Sequence, residues 1–413
     1  KINISDSEKF YVEKININGN FNTLEEVIRN NLIIDEGDPF NEILFNKSIN
    51  DIKSLGIFKK IKADIQEGSN PSFKTINLDV VERPTGEISI SAGFGTDGET
   101  IGAGLKENNF LGKGIKLDTS LELTAESVKG RFIYAKPNFN YTDNTLFTSI
   151  KSSTSDFLDD SGYKTSEIGF ALGTKFEQFQ NIFLSPEIDF LVEDLETSDK
   201  ASSSLKKQEG SYTDLYFNYS INQDLRDKKF RTEDGLTTTF SQELPIISDS
   251  AEFANAFEVT KYKKLSTTSD MVGKVSLFGK TITGLSDDVR ISKRLNIPSS
   301  KLRGFERGKV GPIENNDYIG GNHVTTLNLS ATLPTVVEGL DNLDVGVFFD
   351  AANVWGIDYN SSLDDKSKIR SSTGVALNLM TPIGPLSFSF ANAISKASTD
   401  KTETFRFNLG TQF

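Results

Sequence analysis

The chain has 413 residues, no cysteine, one histidine and a formal net charge of −13, with 58 acidic against 45 basic side chains. Disulfides, thiolate nucleophiles and cysteine-ligated metals are excluded, and the single histidine, His323, rules out a histidine-rich zinc site and is the only route to a Ser-His-Asp triad. The acidic balance argues against a nucleic-acid partner, no GxxxxGK[ST] loop offers a nucleotide cradle, and no stretch approaches the ~18–20 apolar residues of a spanning helix.

The first 84 residues read as a small α/β module. Residues 1–9 alternate apolar and polar with nothing before them to pair with, and are expected to be the tail of a preceding copy in a tandem array, the chain being a fragment. Val12, Ile15 and Ile17 then form a strand closed by Gly19-Asn20. Thr23 with Glu26 matches a capping box ahead of Leu24, Val27, Ile28 and Leu32 at helical spacing. A second helix is expected from Asn41 to Leu55, with Ile43, Leu44, Ile49, Ile52 and Leu55 on one face and Gly56 ending it. Alternating runs at 58–67 and 73–82 complete a β-α-α-β-β module over residues 10–84.

From Gly86 onward the period becomes two. Ile88, Ile90, Ala92 and Phe94 share one face and Ser89, Ser91, Gly93 and Gly95 the other; Ile115 and Leu117 alternate with Lys116 and Asp118. At the C-terminus Phe405, Phe407, Leu409 and Phe413 alternate with Arg406, Asn408, Gly410 and Gln412. Counting similar stretches gives about 16 strands after the module, at a spacing that suits membrane strands of ~9–11 residues joined by alternating short and long connections. A soluble all-β fold would alternate too, but a water-filled barrel interior accepts Lys116, Asp118, Glu122 and Arg406 more readily. The expected fold is therefore a transmembrane antiparallel β-barrel of 16 strands over residues 85–413, with long connections at 194–211, 281–322 and 353–370.

Several segments resemble one known family. Leu302-Arg303-Gly304-Phe305, within the longest loop, is similar to its [VL]RG[FY] signature, and Gly320-Gly321-Asn322 to the GGN that follows. Residues 348–355 (FFDAANVW) are similar to its FxDxGxVW strand, with Ala352 where glycine is usual. Residues 384–391 (GPLSFSFA), 407–413 (FNLGTQF) and 86–114 match its last strands and first hairpin, and Asn18-Gly19-Asn20 with residues 36–41 (EGDPFN) resembles its final periplasmic POTRA domain. The family is the bacterial outer-membrane β-barrel insertases.

The resemblance implies a central subunit of an outer-membrane assembly machinery, which folds and inserts barrel proteins without nucleotide, cofactor, metal or catalytic residue. Its POTRA domain would lie in the periplasm. The partners implied are the outer-membrane bilayer, unfolded β-barrel clients and accessory lipoproteins bound through the POTRA domain. A lateral gate is expected between a first strand, Ile88, Ser89, Ile90, Ser91, Ala92, Gly93 and Phe94, and a last strand, Phe405, Phe407, Asn408, Leu409, Gly410 and Phe413. Glycines weaken strands, an open edge is a template for pairing, and Ser89 is expected near Asn408 across the closed seam. A second site is a loop latch of Arg303, Gly304 and Phe305 on the inward-folded loop 281–322, with Asp350 as the partner of Arg303 on the barrel wall. A passive porin, a sister exporter of the TamA or two-partner secretion type, and an outer-membrane hydrolase using His323 are the alternatives.

Overall fold

The computed structural model describes residues 9–96, 98–228, 231–333, 342–360, 363, 367–381 and 384–409. Most of the expected preceding-module tail, and the gate residues Gly410 and Phe413, lie outside the described residues. Two compact units make up the chain: Lys1–Ser89 with Gly104–Thr119 and Phe132–Phe147, and Ile90–Ala103 with Ser120–Arg131 and Thr148–Phe413.

The first unit contains the expected β-α-α-β-β module: β1 (Tyr11–Asn18), α1 (Glu25–Arg29), α2 (Glu42–Ser54), β2 (Phe58–Glu67) and β3 (Phe73–Glu82). Strand β3 is central, parallel to β1 and antiparallel to β2. Asn41 caps α2, its side chain accepting from the Ile43 and Leu44 N–H groups. The buried face of that helix is Phe45, Ser48, Ile49 and Ile52, while Ile43 is 80% exposed. The true apolar stripe thus starts at Phe45, because positions 45, 48–49 and 52 recur with the helical period and Ile43 does not. These side chains join Val12, Ile15, Ile28, Ile76 and Leu78 in one core.

The capping box does not form. Leu24 is the N-cap of α1 and makes no side-chain cap, and its own N–H donates to Gly112 O at 2.8 Å. Thr23 instead donates its N–H to Glu82 Oε1 at 2.6 Å, and its Oγ1 accepts from Asn109 Nδ2 at 2.9 Å. The turn after residue 110 therefore competes for the groups that a capping box would have used. Beside it, a Cβ on Gly114 would sit 2.9 Å from Val27, and Ile115, expected to point outward, is only 5% exposed.

The barrel strands are β4 (Gly86–Gly95), β5 (Gly98–Phe110), β6 (Ile115–Thr124), β7 (Ser127–Lys136), β8 (Thr145–Phe157), β9 (Tyr163–Phe179), β10 (Ile182–Thr197), β11 (Gly210–Asp224), β12 (Gly235–Ser248), β13 (Glu252–Lys264) and β14 (Val272–Gly284). A long connection follows, carrying the short hairpin β15 (Ile313–Glu314) and β16 (Asp317–Tyr318). The circuit resumes with β17 (His323–Thr332), β18 (Leu343–Trp355), β19 (Arg370–Thr381), β20 (Gly384–Ser395) and β21 (Phe405–Leu409), and closes where β21 pairs antiparallel with β4. Sixteen strands form the closed barrel. Helix α3 (Ser203–Lys206) sits in the connection between β10 and β11. Among the described residues no helix is long and apolar enough to cross a membrane.

The alternation shows most clearly on β9 and β10. Ile168, Phe170, Leu172, Ile188, Phe190 and Val192 are exposed and pair across the two strands, while Ala171, Asp189, Leu191 and Glu193 between them are buried. A barrel exposing its apolar face outward and covering polar side chains inside is the inverse of a soluble sandwich, and it suits a hydrocarbon surround.

Candidate functional site: the seam and the loop inside the barrel

The period-two reading of β4 and β21 fixes which side chains face out. Ile88 and Ile90 are 77% and 82% exposed, Ala92 and Phe94 are exposed, Ser89 is half-buried and Ser91 is buried. On β21, Phe405 is exposed and Arg406 is 6% exposed. Phe388, Phe390, Phe405 and Phe407 form a chain of ring contacts with centroids 5.0–6.2 Å apart, and Phe94 meets Phe407 at 5.7 Å.

At the seam, Asn408 pairs with Gly95 and Leu409 with Phe94, and the Thr96 N–H donates to Phe407 O at 3.2 Å. This register corrects the expected proximity of Ser89 to Asn408. Ser89 lies six residues from Gly95 along β4, about 20 Å at ~3.4 Å per residue. Register follows from pairing and cannot be read from alternation alone, since any slip by two residues preserves the same faces.

The connection between β14 and β17, residues 285–322, folds against the inner wall. Leu302, Phe305, Val310, Val289 and Ile297 bury themselves with the wall residues Ala254, Ile282, Val324, Ala352 and Val354. On this side the barrel interior is a packed protein core, not the water-filled lumen that alternation suggested. The glycine pair of the GGN segment permits the return: Leu295 and Gly321 exchange backbone hydrogen bonds of 2.8 and 2.9 Å, and a Cβ on Gly321 would lie 2.5 Å from Trp355 O.

Arg303 sits where the wall can receive its fork. Its Nε and Nη2 donate to Asp350 Oδ2 and Oδ1, both at 2.8 Å, and its backbone N–H donates to Oδ2 at 3.1 Å. Asn328 Nδ2 donates to Asp350 Oδ1 at 2.8 Å, and the guanidinium lies 3.5 Å over the Phe348 ring. Asn328, Asp350 and Ser372 are consecutive cross-strand partners on β17, β18 and β19, and Ser372 Oγ donates to Arg303 O at 2.5 Å. Gly304 has φ +87°, and a Cβ there would lie 3.0 Å from Ala391 and 3.3 Å from Ser372, so both the turn and the close approach require glycine. Phe305 is 2% exposed. Arg303, Gly304, Phe305 and Asp350 are thus brought together, and the same segment reaches β21, where Arg406 Nη2 donates to Phe305 O at 2.8 Å.

A second anchor was not anticipated from the sequence. Arg290 donates to Glu252 Oε1 at 2.9 Å, Asp214 Oδ2 at 2.5 Å and Glu193 Oε2 at 3.2 Å, and stacks 4.4 Å over Tyr212. Arginine and all three carboxylates are at most 2% exposed, and Lys293 adds a positive charge 3.8 Å from Glu193. Burial works against the Arg290 charge, but Glu252, Asp214 and Glu193 more than offset it and push the guanidinium above its ordinary value. The only sequence sign was an acid at the inward position of β10 between Leu191 and Leu195. A third tether runs from Arg294 Nη2 to Asp358 Oδ1 at 2.5 Å, with Asn322 Nδ2 and the Val289 N–H donating to Oδ2. His323 packs against Trp355, with ring centroids 5.4 Å apart and the planes tilted by 40°.

Comparison with known proteins agrees with this geometry. The family model of the Omp85 superfamily domain matches residues 109–413, and a POTRA model, described as a surface antigen variable number repeat, matches residues 10–83. The chain is 23% identical to the outer membrane protein assembly factor BamA of Neorickettsia risticii, covering 99% of this chain and 56% of that protein. It is 24% identical to the BamA of Neisseria meningitidis, covering 100% of this chain and 58% of that one. The chain therefore spans a little over half the length of these curated relatives. Its fold is similar to the crystal structure of BamA from Haemophilus ducreyi lacking POTRA domains 1–3, with TM-score 0.82, 23% identity and coverage of 98% of this chain and 85% of that one.

Two outcomes follow from the anchors. Arg290→Ala leaves Glu193, Asp214 and Glu252 buried without their main cation, and should cost about 3–5 kcal/mol, read as a lower temperature for loss of the folded barrel band in heat-modifiability gels. The second concerns acid. Burial of Asp358 favours its neutral form, but the Val289 N–H, Arg294 and Asn322 more than offset this and hold the carboxyl below the usual range. Its stabilising contribution is complete above the unfolded value of ~3.9 and is lost as pH falls through the lower folded value. Fluorescence of Trp355, the single tryptophan, should therefore change only below about pH 4, and Asp358→Asn should produce that change at neutral pH.

Proposed function

The chain belongs to the Omp85 superfamily, and from that premise we propose that it folds and inserts β-barrel proteins into the bacterial outer membrane, its POTRA module standing in the periplasm. Client strands pair with the backbone edge of β4 at a lateral gate between β4 and β21. Ile88, Ser89, Ile90, Ser91, Ala92, Gly93 and Phe94 form the accepting edge, and Phe405, Phe407, Asn408 and Leu409 belong to its self-closing partner. The seam carries this reading: β4 and β21, far apart in the sequence, meet there by strand pairing, Asn408 with Gly95 and Leu409 with Phe94. In hydrocarbon an unpaired strand edge costs several kcal/mol per backbone group, so an edge released at the seam is driven to pair with an incoming strand.

The role of the Arg303–Asp350 pair is to hold the loop against the wall, which makes it a latch and not a reactive centre. The work is strand exchange, with no bond made or broken, and so no enzymatic step is assigned. The anchored loop also distinguishes the chain from a passive porin, since Leu302, Phe305 and Val310 are packed where a porin would conduct. Unfolded barrel proteins are the proposed clients, and accessory lipoproteins are proposed to dock on the module.

The gate is tested with the full-length protein in liposomes. A disulfide made from Gly95→Cys and Asn408→Cys, the observed register partners, should stop insertion of an unfolded barrel client, and reduction should restore it; full insertion by the oxidised protein sinks the gate. Arg303→Ala should expose loop 285–322 to protease and lower insertion about tenfold, in line with the loss of a charge-assisted hydrogen bond. Arg303→Lys should recover part of that, because an ammonium cannot reproduce the two-pronged fork.

A further inference from the structure

The first compact unit leaves several large apolar side chains uncovered where its module meets the turns of the neighbouring strands. The loop between β1 and α1 lies on the turn between β5 and β6. There the Leu24 N–H donates to Gly112 O at 2.8 Å, Asn109 Nδ2 donates to Thr23 Oγ1 at 2.9 Å, and a Cβ on Gly112 would lie 1.9 Å from Asn22 O. The other end of α1 meets the turn between β7 and β8, where Asn138 Nδ2 donates to Asn30 O at 3.4 Å. Phe21 and Leu111 flank the first contact, Phe139 and Tyr141 follow the second, and all four belong to the same unit. Phe21 is 93% exposed, Tyr141 78% and Leu111 70%, and Leu24 and Phe139 are exposed as well.

Single exposed apolar residues are ordinary on a protein surface, but two of these are held in place against backbone strain. Leu111 has φ +56° and Tyr141 φ +59°, in the left-handed region that bulky L side chains rarely adopt. The same turns use asparagine or glycine where that conformation recurs, at Asn138, Asn140, Gly112 and Gly114. Strain at 111 and 141 therefore accompanies a large apolar group that the turn itself does not need. The strip continues onto the outside of the strands through Phe110 and Phe132, both exposed toward the same ends of β5 and β7. Lys113 and Lys136 are exposed beside it, and Lys136 Nζ lies 5.9 Å from the centre of the Phe139 ring. Rings and aliphatic groups edged by lysines suit the boundary between hydrocarbon and lipid headgroups, where the ammonium reaches the polar layer and the apolar part stays below it.

We propose that loop 20–24 of the POTRA module, together with the turns at Leu111 and at Phe139 and Tyr141, forms a shallow foot in the periplasmic leaflet of the outer membrane. The occupant of this surface is lipid, because the turns that carry Leu111 and Tyr141 end the strands whose apolar outer faces meet the bilayer. Their contact with the module places them at the periplasmic end. Phe21 is the module's own contribution. It lies outside the barrel sequence, and its loop is kept at the level of the turn by the Leu24–Gly112 and Asn109–Thr23 hydrogen bonds. The bilayer thus helps to hold the module against the barrel turns, whether or not the seam opens.

The test places one cysteine, as the sole thiol of the full-length protein, at Phe21→Cys, Tyr141→Cys or Ile43→Cys; these 413 residues contain no other. Ile43 is the control. It is 80% exposed on the same module, and it follows the Phe40 N–H to Phe10 O hydrogen bond at the opposite end of β1 from loop 20–24. Each variant is checked for the folded barrel by heat-modifiability, labelled with an environment-sensitive fluorophore and placed in nanodiscs of phosphatidylethanolamine and phosphatidylglycerol, both faces of which are open to aqueous quenchers. Emission from Phe21→Cys and Tyr141→Cys should shift to the blue and be quenched by nitroxide-bearing lipids but not by iodide. Ile43→Cys should show the reverse, which excludes insertion driven by the dye. If Phe21→Cys is quenched by iodide and not by lipid in these discs, the foot is overturned, and protection gained only on adding periplasmic lipoproteins would make the surface a protein-docking site instead. If Tyr141→Cys alone is quenched by lipid, the turns are an ordinary barrel girdle in which the module takes no part, and the proposal fails equally.

Discussion

A chain that crosses hydrocarbon must satisfy every backbone N–H and C=O without help from water. Everything else in this structure follows from how that is met. Sixteen strands pass the requirement from neighbour to neighbour around a closed circuit, and the circuit has one place where the first strand has to find the last. Elsewhere the connections bring consecutive strands together; only at the seam must strands β4 and β21, separated by most of the chain, meet by pairing alone. The proposed strand exchange has its natural site there, because breaking one seam leaves the other hydrogen-bond ladders intact.

The interior answers a second constraint. A loop of 38 residues between β14 and β17 has its own backbone groups and apolar side chains to cover, and it does so by using the barrel wall as the other half of a core. Its arginines work by geometry more than by stability. A buried ion pair repays its desolvation only when fork and acceptors match, so such pairs define position sharply while adding little net energy. Arg290 among three carboxylates and Arg303 on Asp350 fix the loop at separate points of the wall, and Arg294 ties it to Asp358 in the connection after β18. Phe305 and its apolar neighbours supply the burial that the charges do not.

Legibility in the sequence was uneven, for reasons that can be traced to particular residues. Strand number, facing and the inward direction of Asp350 and Arg406 were readable because period-two alternation is a local property. The β-α-α-β-β order was readable in the same way. Where another part of the chain competed, local reading failed. Thr23 has the sequence of a capping box, yet Glu82 and Asn109 take its backbone and side-chain groups. Ile43 looked like part of an apolar stripe that really begins at Phe45. Ser89 was placed near Asn408 although Gly95 pairs with it.

By itself the sequence determined which faces are apolar, how many strands there are and which arginine and aspartate types stand ready, since these depend on side-chain chemistry and spacing along one segment. Only the tertiary structure decided the seam register, the packing of the loop into the interior, and the gathering of Glu193, Asp214 and Glu252 around Arg290. The physical reason is that alternation is unchanged by a two-residue slip. A buried charge cluster, in turn, exists only when residues far apart in the chain are held within hydrogen-bond reach, and nothing in any one segment specifies the others.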